Sequence, residues 1–554
     1  MNILLTAINA KYIHSNLAVY SLRACAGEYR DAVELAEYTI NNQKDYILEE
    51  LYKRKPDVLC FSCYIWNIDY VTDIAREYKK LCPSVPIWVG GPEVSYEVEA
   101  FLRENPYIDG VMIGEGEDTF RELCGYYAHK RKLSDIAGIA FRKNSTGNST
   151  SNRTSVNNAG CKADEIVFTS PRPIKNMSEI PFCYDTLDDF SNRIIYYESS
   201  RGCPFSCSYC LSSVDKTLRF RDTRIVKREL KFFIDQKVPQ IKFVDRTFNC
   251  NHAHAMELWR FIKANDNGVT NFHFEISADL LNQEELELIS DMRPGLIQLE
   301  IGVQSTNEVT IKEIHRTMKL ERLKEVVRLI QSGNNIHEHL DLIAGLPYED
   351  YDSFGRSFDE IYELKPNQLQ LGFLKVLKGS YMFEHAAEYG IVYHDKPPYE
   401  VMSTKWLSFD DVIKIKRVED MLEVYYNSGQ FEITMKLMEC IFDSAFEFFQ
   451  ELGDFYEANG YFGMSHSRIR RCEILLEFLA LYLHGCDNDA MTSVVLSEND
   501  GDRDNTDFDE NAQIYKMIQE SLIFDLYYRE NCKSRPVWAT DIGSFKHMTH
   551  AYCK

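Results

Sequence analysis

Three closely spaced cysteines are the residues of this sequence best suited to chemistry. Residues 200–212 read Ser-Arg-Gly-Cys-Pro-Phe-Ser-Cys-Ser-Tyr-Cys-Leu-Ser, which places Cys203, Cys207 and Cys210 in a C-x3-C-x2-C pattern. Such spacing lets one tight loop direct three thiolates toward one centre. Soft thiolate ligands suit an iron–sulfur cluster or zinc. The sequence therefore predicts a metal centre on this loop.

Two other metal sites have to be weighed against a catalytic cluster. A structural zinc site needs a fourth ligand, and no other Cys or His lies between Cys183 and Cys250. A ferredoxin run carries four cysteines at other spacings. A distant ligand could complete either site, so both stay open. Three ligands on a four-iron cube leave one iron open, as a catalytic cluster requires.

The elements around the cysteine loop alternate between strands and helices. Amphipathic helices such as Glu321–Gln331 and Phe354–Leu364 separate six apolar runs. Six strand–helix repeats predict an open or partial βα barrel, whose working face is the carboxyl-terminal one. The cysteine loop follows the first of these strands. The predicted strands are Ile194–Ser199, Gln240–Asp245, Asn271–Ala278, Leu296–Val303, Ile336–Ala344 and Gln368–Leu374.

With Tyr209 before the third cysteine, the loop resembles the C-x3-C-x-aromatic-C signature of the radical S-adenosylmethionine (radical SAM) superfamily. The resemblance implies a 4Fe–4S cluster whose open iron chelates S-adenosylmethionine, and a 5′-deoxyadenosyl radical formed when one electron cleaves that molecule. Segments 240–249, 299–305 and 341–347 resemble later strands of the family, although each could also be an ordinary buried strand with a polar end. The implied S-adenosylmethionine contacts are Tyr209, Asp245, Glu300, Ser305 and Ile343.

The first 125 residues predict a separate, doubly wound parallel sheet. Ligands of such sheets bind at the carboxyl ends of the strands. The predicted strands are Asn2–Ala7, Val58–Cys63, Ile87–Gly90 and Gly110–Ile113. The predicted helices are Leu17–Ala26, Tyr46–Arg54, Ile68–Leu81 and Val94–Glu104.

A doubly wound domain directly before such a barrel resembles the cobalamin-binding class of radical SAM enzymes. Glycines in the third and fourth strand loops would let a flat macrocycle approach the backbone closely. The Asp-x-His-x-x-Gly motif is lacking, and His14 does not match it, so the resemblance implies cobalamin without a histidine lower ligand. A Rossmann-like domain with another ligand or none is the alternative. The implied cobalamin contacts are Asn9, Tyr12, Ser62, Gly90, Gly91, Glu115 and Gly116.

Four segments organise the chain. We predict a Rossmann-like cobalamin domain at 1–140, a linker at 141–190 containing the polar run 143–163, a radical SAM barrel at 191–390 and a helical domain at 391–554. The last resembles a domain of unknown function attached to some of these proteins. Its predicted helices are Phe409–Asn427, Phe431–Glu451, Ser467–Leu483 and Asn511–Tyr528, interrupted by an acidic loop at 497–510.

Composition limits the partners. The 554 residues carry 62 Lys and Arg against 85 Asp and Glu, a net charge of −23 that argues against nonspecific binding of nucleic acid. No apolar run reaches the roughly 18 residues that span a bilayer, and the amino end lacks a signal-peptide pattern, so the cytoplasm is expected. The sixteen cysteines are too dilute for a disulfide scaffold.

The resemblance implies an enzyme, a cobalamin-dependent methyltransferase acting on an unactivated carbon of a small molecule or peptide. It would take electrons from a donor such as flavodoxin or ferredoxin. Cyclisation, ring contraction or oxidative rearrangement by the same cofactors is the first alternative. A sensor that carries cobalamin or the cluster is the non-enzyme alternative. Methylthiolation of transfer RNA is disfavoured, because Cys25, Cys60, Cys63, Cys82 and Cys124 do not have the spacing of a second cluster site.

Overall fold

The computed structural model describes residues 1–143, 165–214, 216–484, 506–529 and 536–539. The chain divides into two compact units. Unit 1 comprises 1–302, 311–338 and 373–404, and unit 2 comprises 303–310, 339–372 and 405–554. The polar run predicted at 143–163, apart from its first residue, lies outside the described residues. So does the acidic loop up to residue 505.

A seven-stranded sheet forms the amino-terminal part of unit 1, in the order β2-β1-β3-β4-β5-β6-β7. Its strands are β1 (Ile3–Asn9), β2 (Val33–Thr39), β3 (Val58–Ser62), β4 (Ile87–Gly90), β5 (Gly110–Met112), β6 (Ile139–Arg142) and β7 (Ile166–Phe168). The helices are α1 (Leu17–Cys25), α2 (Lys44–Arg54), α3 (Ile68–Leu81), α4 (Val98–Glu104) and α5 (Glu117–Tyr127). Strands β1 to β5 run parallel, whereas β6 and β7 add to the edge in antiparallel pairs.

Strand β2 is an element that sequence reasoning missed. Its residues Val33-Glu-Leu-Ala-Glu-Tyr-Thr39 contain two glutamates and no continuous apolar run. The strand lies at the edge of the sheet and pairs with β1 alone. An edge strand is only half covered, so it needs fewer apolar residues than a central strand. Strand β3, on the other side of β1, is buried along its whole length.

A six-stranded sheet follows in the chain, in the order β15-β14-β13-β12-β11-β8. The six strands predicted for the barrel are all present, and each predicted end lies within two residues of the observed one. The remaining short strands form two hairpins, β9 with β10 and β16 with β17. The strands are β8 (Ile195–Tyr197), β9 (Ser200–Arg201), β10 (Arg219–Phe220), β11 (Gln240–Phe243), β12 (Asn271–Ile276), β13 (Ile297–Gln304), β14 (His337–Ala344), β15 (Gln368–Phe373), β16 (Val392–Tyr393) and β17 (Val401–Ser403).

Helices alternate with these strands, as a βα series requires. Alternate residues of β13 and β14 are buried, so one face of each strand packs beneath the helices. The neighbouring pairs β8–β11, β11–β12 and β12–β13 are parallel. The helices are α6 (Thr223–Asp235), α7 (His252–Ala264), α8 (Gln283–Ser290), α9 (Glu308–Glu313), α10 (Leu320–Gly333), α11 (Tyr351–Tyr362) and α12 (Tyr381–His385).

The carboxyl-terminal part of unit 2 is helical, as predicted. The single helix expected over 431–451 is wrong, because two helices separated by 439–444 take its place. The second begins where the Ser444 side chain accepts a hydrogen bond from the Glu447 backbone N–H, an N-cap that starts a new helix. None of the described helices is long and apolar enough to cross a membrane. The helices are α13 (Phe409–Leu422), continued by a π-helical turn to Asn427, α14 (Glu432–Met438), α15 (Ala445–Ala458), α16 (Arg468–His484) and α17 (Thr506–Arg529).

Candidate functional site

The cysteine loop is closed at its base by a small hairpin. Strand β9 pairs antiparallel with β10, which brings Arg201 opposite Arg219. Gly202 begins the loop at a φ of +91°, and a Cβ there would lie 2.6 Å from the Thr217 carbonyl oxygen. Only glycine meets both conditions. The hairpin therefore starts the loop directly before Cys203.

The three thiols match the donor set of an iron–sulfur cube. Cys203 and Cys207 are buried and Cys210 is half-buried. Burial raises the pKa of Cys203, and the other two cysteines lie close enough to raise it further. Among the described residues, no three Cys, His, Asp or Glu side chains are arranged to hold one metal ion. A cube does not need that arrangement, because each of its cysteines binds a different iron.

A guanidinium that sequence reasoning missed lies beside the cysteine loop. Arg316 Nη1 is 3.9 Å from Cys207 Sγ and 3.3 Å from the Tyr209 hydroxyl, and the Arg316 side chain also donates to the Gly302 carbonyl. Burial is the main cause that raises the pKa of Tyr209. Arg316 follows the loop by more than a hundred residues, so no local pattern pointed to it.

Asp245 lies just past β11 and is fully buried. Its carboxylate accepts hydrogen bonds from the Ser199 backbone N–H at 2.9 Å, the Ser199 hydroxyl at 2.5 Å and the Ser200 hydroxyl at 2.7 Å. Burial raises the pKa of Asp245 to about 7 despite these donors. The carboxylate thus holds the segment that leads into the cysteine loop. Its role toward S-adenosylmethionine stays a prediction.

Glu300 lies on β13, and its carboxylate contacts two basic side chains. Its Oε2 is 2.8 Å from Lys242 Nζ and 2.9 Å from His273 Nε2. Burial would raise its pKa, but the His273 hydrogen bond and the Lys242 charge outweigh burial and lower the pKa of Glu300 to about 2. Glu275, its register partner on β12, carries a second carboxylate at the same level. Glu300 is therefore a fixed anion, and its predicted contact with S-adenosylmethionine stays a prediction.

Within unit 2, Ser305 and Ile343 have different surroundings. The Ser305 hydroxyl is fully buried and donates to Glu349 Oε1 at 2.5 Å, while it accepts from the Asn307 backbone N–H at 3.0 Å. Ile343 lies on β14 and is half-buried. The bond from Asn307 lies within the turn after β13, and the bond to Glu349 ties that turn to the segment after β14. The predicted roles of the two residues stay predictions.

A cavity of about 580 Å³ lies in unit 1 at the carboxyl ends of the first sheet's strands. On the opposite side it is lined by Glu198, Arg201 and Arg246, which flank the cysteine loop or follow β11. Five of the seven predicted cobalamin contacts line it: Ser62, Gly90, Gly91, Glu115 and Gly116.

Gly91 shows why the cavity wall needs glycine. Its φ is +121°, and a Cβ would lie 2.4 Å from the Cys63 carbonyl oxygen. The loops after β3 and β4 therefore approach each other more closely than any side chain would allow. This leaves backbone to face the cavity.

The other two predicted contacts, Asn9 and Tyr12, are not among the residues that line the cavity. Asn9 is buried and donates to the His14 carbonyl at 3.1 Å and to Glu37 at 3.0 Å. Tyr12 is 69% exposed, with the Arg193 guanidinium 5.8 Å from its ring. Both residues shape the loop after β1, and their contact with cobalamin stays a prediction.

Three family models match consecutive parts of the chain. The B12 binding domain matches residues 3–124, the radical SAM superfamily matches 197–361, and a protein family of unknown function, DUF4080, matches 387–554. The chain therefore contains a B12-binding domain, a radical SAM domain and a DUF4080 region, in that order. The predicted class and α/β fold are confirmed, as are the cofactors: a 4Fe–4S cluster, S-adenosylmethionine and cobalamin.

Relatives within this class share about a quarter of their residues with the chain. It is 27% identical to the cobalamin-dependent radical SAM methyltransferase TokK of Streptomyces tokunonensis, over 61% of this chain and 49% of TokK. It is 22% identical to the anaerobic magnesium-protoporphyrin IX monomethyl ester cyclase of Rubrivivax gelatinosus, over 62% of this chain and 60% of the cyclase. The chain spans about half the length of the first curated relatives that it matches.

A solved structure shows the same fold. The cobalamin-dependent S-adenosylmethionine radical enzyme OxsB, with aqua-cobalamin and S-adenosylmethionine bound, aligns with a TM-score of 0.59 at 15% identity. The alignment covers 95% of this chain and 80% of OxsB. At this identity the likeness concerns the fold.

Proposed function

We propose that the chain is a cobalamin-dependent radical SAM methyltransferase that acts on an unactivated carbon of a small molecule or peptide. The observation that carries the proposal is one cavity lined both by the glycine loops of a B12-binding domain and by Arg201 and Gly202, which directly precede Cys203. The named methyltransferase relatives support the same reaction. When bound, the cluster and cobalamin would supply one-electron cleavage of S-adenosylmethionine and transfer of a methyl group.

The chain's own residues would bind and orient these groups. We assign Cys203, Cys207 and Cys210 to the cluster. The Arg316 guanidinium beside them suits the carboxylate of S-adenosylmethionine, because its fork of donors matches a carboxylate. The further contacts assigned to S-adenosylmethionine are Tyr209, Asp245, Glu300, Ser305 and Ile343.

The cavity loops would receive cobalamin. Backbone at Gly90, Gly91 and Gly116, with Ser62 and Glu115, would face it, and Asn9 and Tyr12 would support the neighbouring loop. No histidine is assigned as a lower ligand. We place the protein in the cytoplasm, with electrons from a flavodoxin or ferredoxin.

Removal of one cluster cysteine tests the proposal. We expect anaerobically reconstituted Cys207→Ala protein to lose bound iron and to form 5′-deoxyadenosine from S-adenosylmethionine only at background level, since an incomplete ligand set cannot hold the cube. Cys440→Ala is the matched control, because Cys440 is an exposed thiol outside the loop. A Cys207→Ala protein that still cleaves S-adenosylmethionine reductively contradicts the cluster assignment.

Product mass separates methylation from its alternatives. The cyclase relatives favour ring formation as the second candidate reaction. A gain of one methylene unit in the product indicates methylation, whereas a loss of hydrogen or a gain of oxygen indicates ring formation or oxidation. No cleavage of S-adenosylmethionine by the wild-type protein with any reductant would favour a sensor.

A further inference from the structure

One arginine connects the cysteine loop with the loop that follows β5. Arg201 lies on β9, two residues before Cys203. Its Nη2 is 2.8 Å from Glu117 Oε1, and its Nη1 is 3.3 Å from Glu115 Oε1. Both glutamates belong to the loop and helix start after β5, on the B12-binding side of the cavity. The contact therefore joins two segments that are about 85 residues apart in the chain.

Arg201 is also held in place from its own side. Its Nε and Nη2 form a two-pronged pair with the Glu198 carboxylate, at 2.9 and 2.7 Å. Planar guanidinium groups bind carboxylates in this paired geometry with a fixed orientation. Since Glu198 immediately follows β8, its carboxylate fixes the Arg201 guanidinium close to that strand. The second contact is therefore made by a preorganised side chain.

A second arginine strengthens the connection. Arg219, the register partner of Arg201 on β10, lies 2.5 Å from Glu115 Oε1. The other oxygen of Glu115 accepts from the Lys175 backbone N–H at 3.3 Å. Both strands of the hairpin beneath the cysteine loop thus bind one glutamate. The Glu115 carboxylate is fully occupied by this network.

Burial separates this network from ordinary surface ion pairs. The side chains of Arg201, Glu117, Glu115 and Arg219 are only 22%, 7%, 21% and 13% exposed. Exposed pairs contribute little because water and salt screen them, whereas breaking a buried pair leaves a charge without compensation. Arg201, Glu115, Glu117 and Glu198 also line the cavity. The network is therefore part of the wall that both cofactors would face.

We propose that Arg201 is a positioning residue that sets the distance between the cluster loop and the cobalamin loop. The inference rests on the proposed function and extends it. A methyl donor and a radical source must act on one substrate carbon, and small displacements of reacting groups cost large factors in rate. Arg201 acts through the two loops and does not touch the reacting atoms. Its loss would let the loops move apart while each still holds its own cofactor.

Hydrogen exchange of the reconstituted holoenzyme tests the connection directly. In Arg201→Met, which keeps the aliphatic stem and removes the charge, backbone amides of 113–118 and 199–203 should exchange together at least about tenfold faster. The exchange rate in Arg201→Lys should lie between those of the wild type and Arg201→Met, because a lysine can bind only one of the carboxylates well. Arg103→Met is the matched control, since Arg103 forms an exposed pair with Glu99. Unchanged exchange at 113–118 in Arg201→Met would overturn the proposal.

Electron paramagnetic resonance distinguishes a positioning role of Arg201 from a general effect on stability. The spin coupling between the reduced cluster and the paramagnetic form of cobalamin depends on their distance. We expect one defined coupling in the wild type and in Arg103→Met, and a broad distribution in Arg201→Met at unchanged iron and cobalamin content. An unchanged coupling in Arg201→Met overturns the proposal.

Loss of folding in Arg201→Met and loss of activity in the wild type have different consequences. If Arg201→Met does not fold, Glu117→Met removes one carboxylate partner of Arg201, and equal exchange at 199–203 in that variant and the wild type contradicts the connection. If the wild type does not cleave S-adenosylmethionine, the proposed function fails. The exchange result still decides whether Arg201 connects the loops, because it requires no turnover.

Discussion

Several side chains that were predicted to contact cofactors already bind other side chains of the protein. Glu300 binds Lys242 and His273, Glu115 binds two arginines, and Asp245 binds two serines. Each carboxylate was predicted as a cofactor contact from its place in a motif. The contacts indicate that these groups also set the positions of neighbouring strands and loops. Such support keeps binding groups in place before a ligand arrives.

Glu349 provides a test at this scale. Burial raises the pKa of Glu349 from an ordinary value of 4.5 to about 7. The hydrogen bonds from Ser305 and Ser357 lower the pKa but do not outweigh burial. Between these two pH values the folded protein keeps a proton that the unfolded chain has lost, so the free energy of unfolding should fall as pH rises. Glu349→Gln should remove about 3 kcal/mol of this fall, at 1.36 kcal/mol per pKa unit.

Denaturant unfolding at pH 5, 6, 7 and 8 measures this effect. Glutamine keeps the oxygen that accepts from both serines and cannot ionise. Glu308→Gln, at an exposed position in the same unit, should leave the pH profile unchanged. Parallel profiles for Glu349→Gln and the wild type would show that Glu349 does not titrate in this range.

At the scale of elements, two loops of the first sheet contain glycines whose backbone conformation disfavours other residues. Gly91 and Gly114 both have positive φ, at +121° and +76°. They differ in their surroundings: a Cβ on Gly91 would lie 2.4 Å from the Cys63 carbonyl oxygen, whereas a Cβ on Gly114 would meet nothing within 4 Å. Gly91 therefore combines conformational strain with steric overlap, whereas Gly114 shows conformational strain alone.

Gly91→Ala and Gly114→Ala should differ strongly in stability. The Gly114 variant should lose about 1 kcal/mol, the cost of a left-handed conformation for a residue with a Cβ. The Gly91 variant should lose more than about 3 kcal/mol, because the backbone of two loops must also move. It should bind cobalamin more weakly as well. Urea unfolding and equilibrium dialysis measure the two effects, and equal losses would contradict the steric explanation.

For the whole molecule, the compact units do not follow the family models. The radical SAM model ends at residue 361 and the DUF4080 model begins at 387, but unit 2 joins 339–372 with 405–554. Helix α11 accounts for this. Its Asp359 accepts from the Ser444 hydroxyl at 2.7 Å and the Phe446 backbone N–H at 2.8 Å. A helix of the radical SAM region and the carboxyl-terminal helices thus share one core.

Phe446→Ala should loosen both parts of this core together. The buried Phe446 ring packs against Phe358 and Tyr351 at centroid distances of 5.4 and 5.3 Å. Its removal should cost about 3–5 kcal/mol and speed hydrogen exchange in α11 as well as in α15. Phe409→Ala, at a position 47% exposed, is the control. Faster exchange in α15 alone would show that the two parts unfold separately.

Much of this protein could be predicted from local patterns. The spacing of Cys203, Cys207 and Cys210 indicated the cluster loop, and apolar runs indicated all six strands of the second sheet. Such signals persist in a sequence because each element carries its own periodicity and end signals. Strand β2 escaped prediction because an edge position relaxes the apolar pattern. The break at 439–444 escaped because its flanking residues suit helices on both sides.

Contacts between distant residues were decided by the tertiary structure alone. Nothing near Cys207 in the chain indicates Arg316, and nothing near Glu115 indicates Arg201. Sheet register and the path of the chain bring these partners together, and a side chain's partner across a fold is not encoded in its neighbours. The sequence by itself therefore determined the class of protein and its cofactors. Tertiary structure decided which charged side chains pair between the segment before Cys203 and the loop after β5, because ion pairs depend on distances in space.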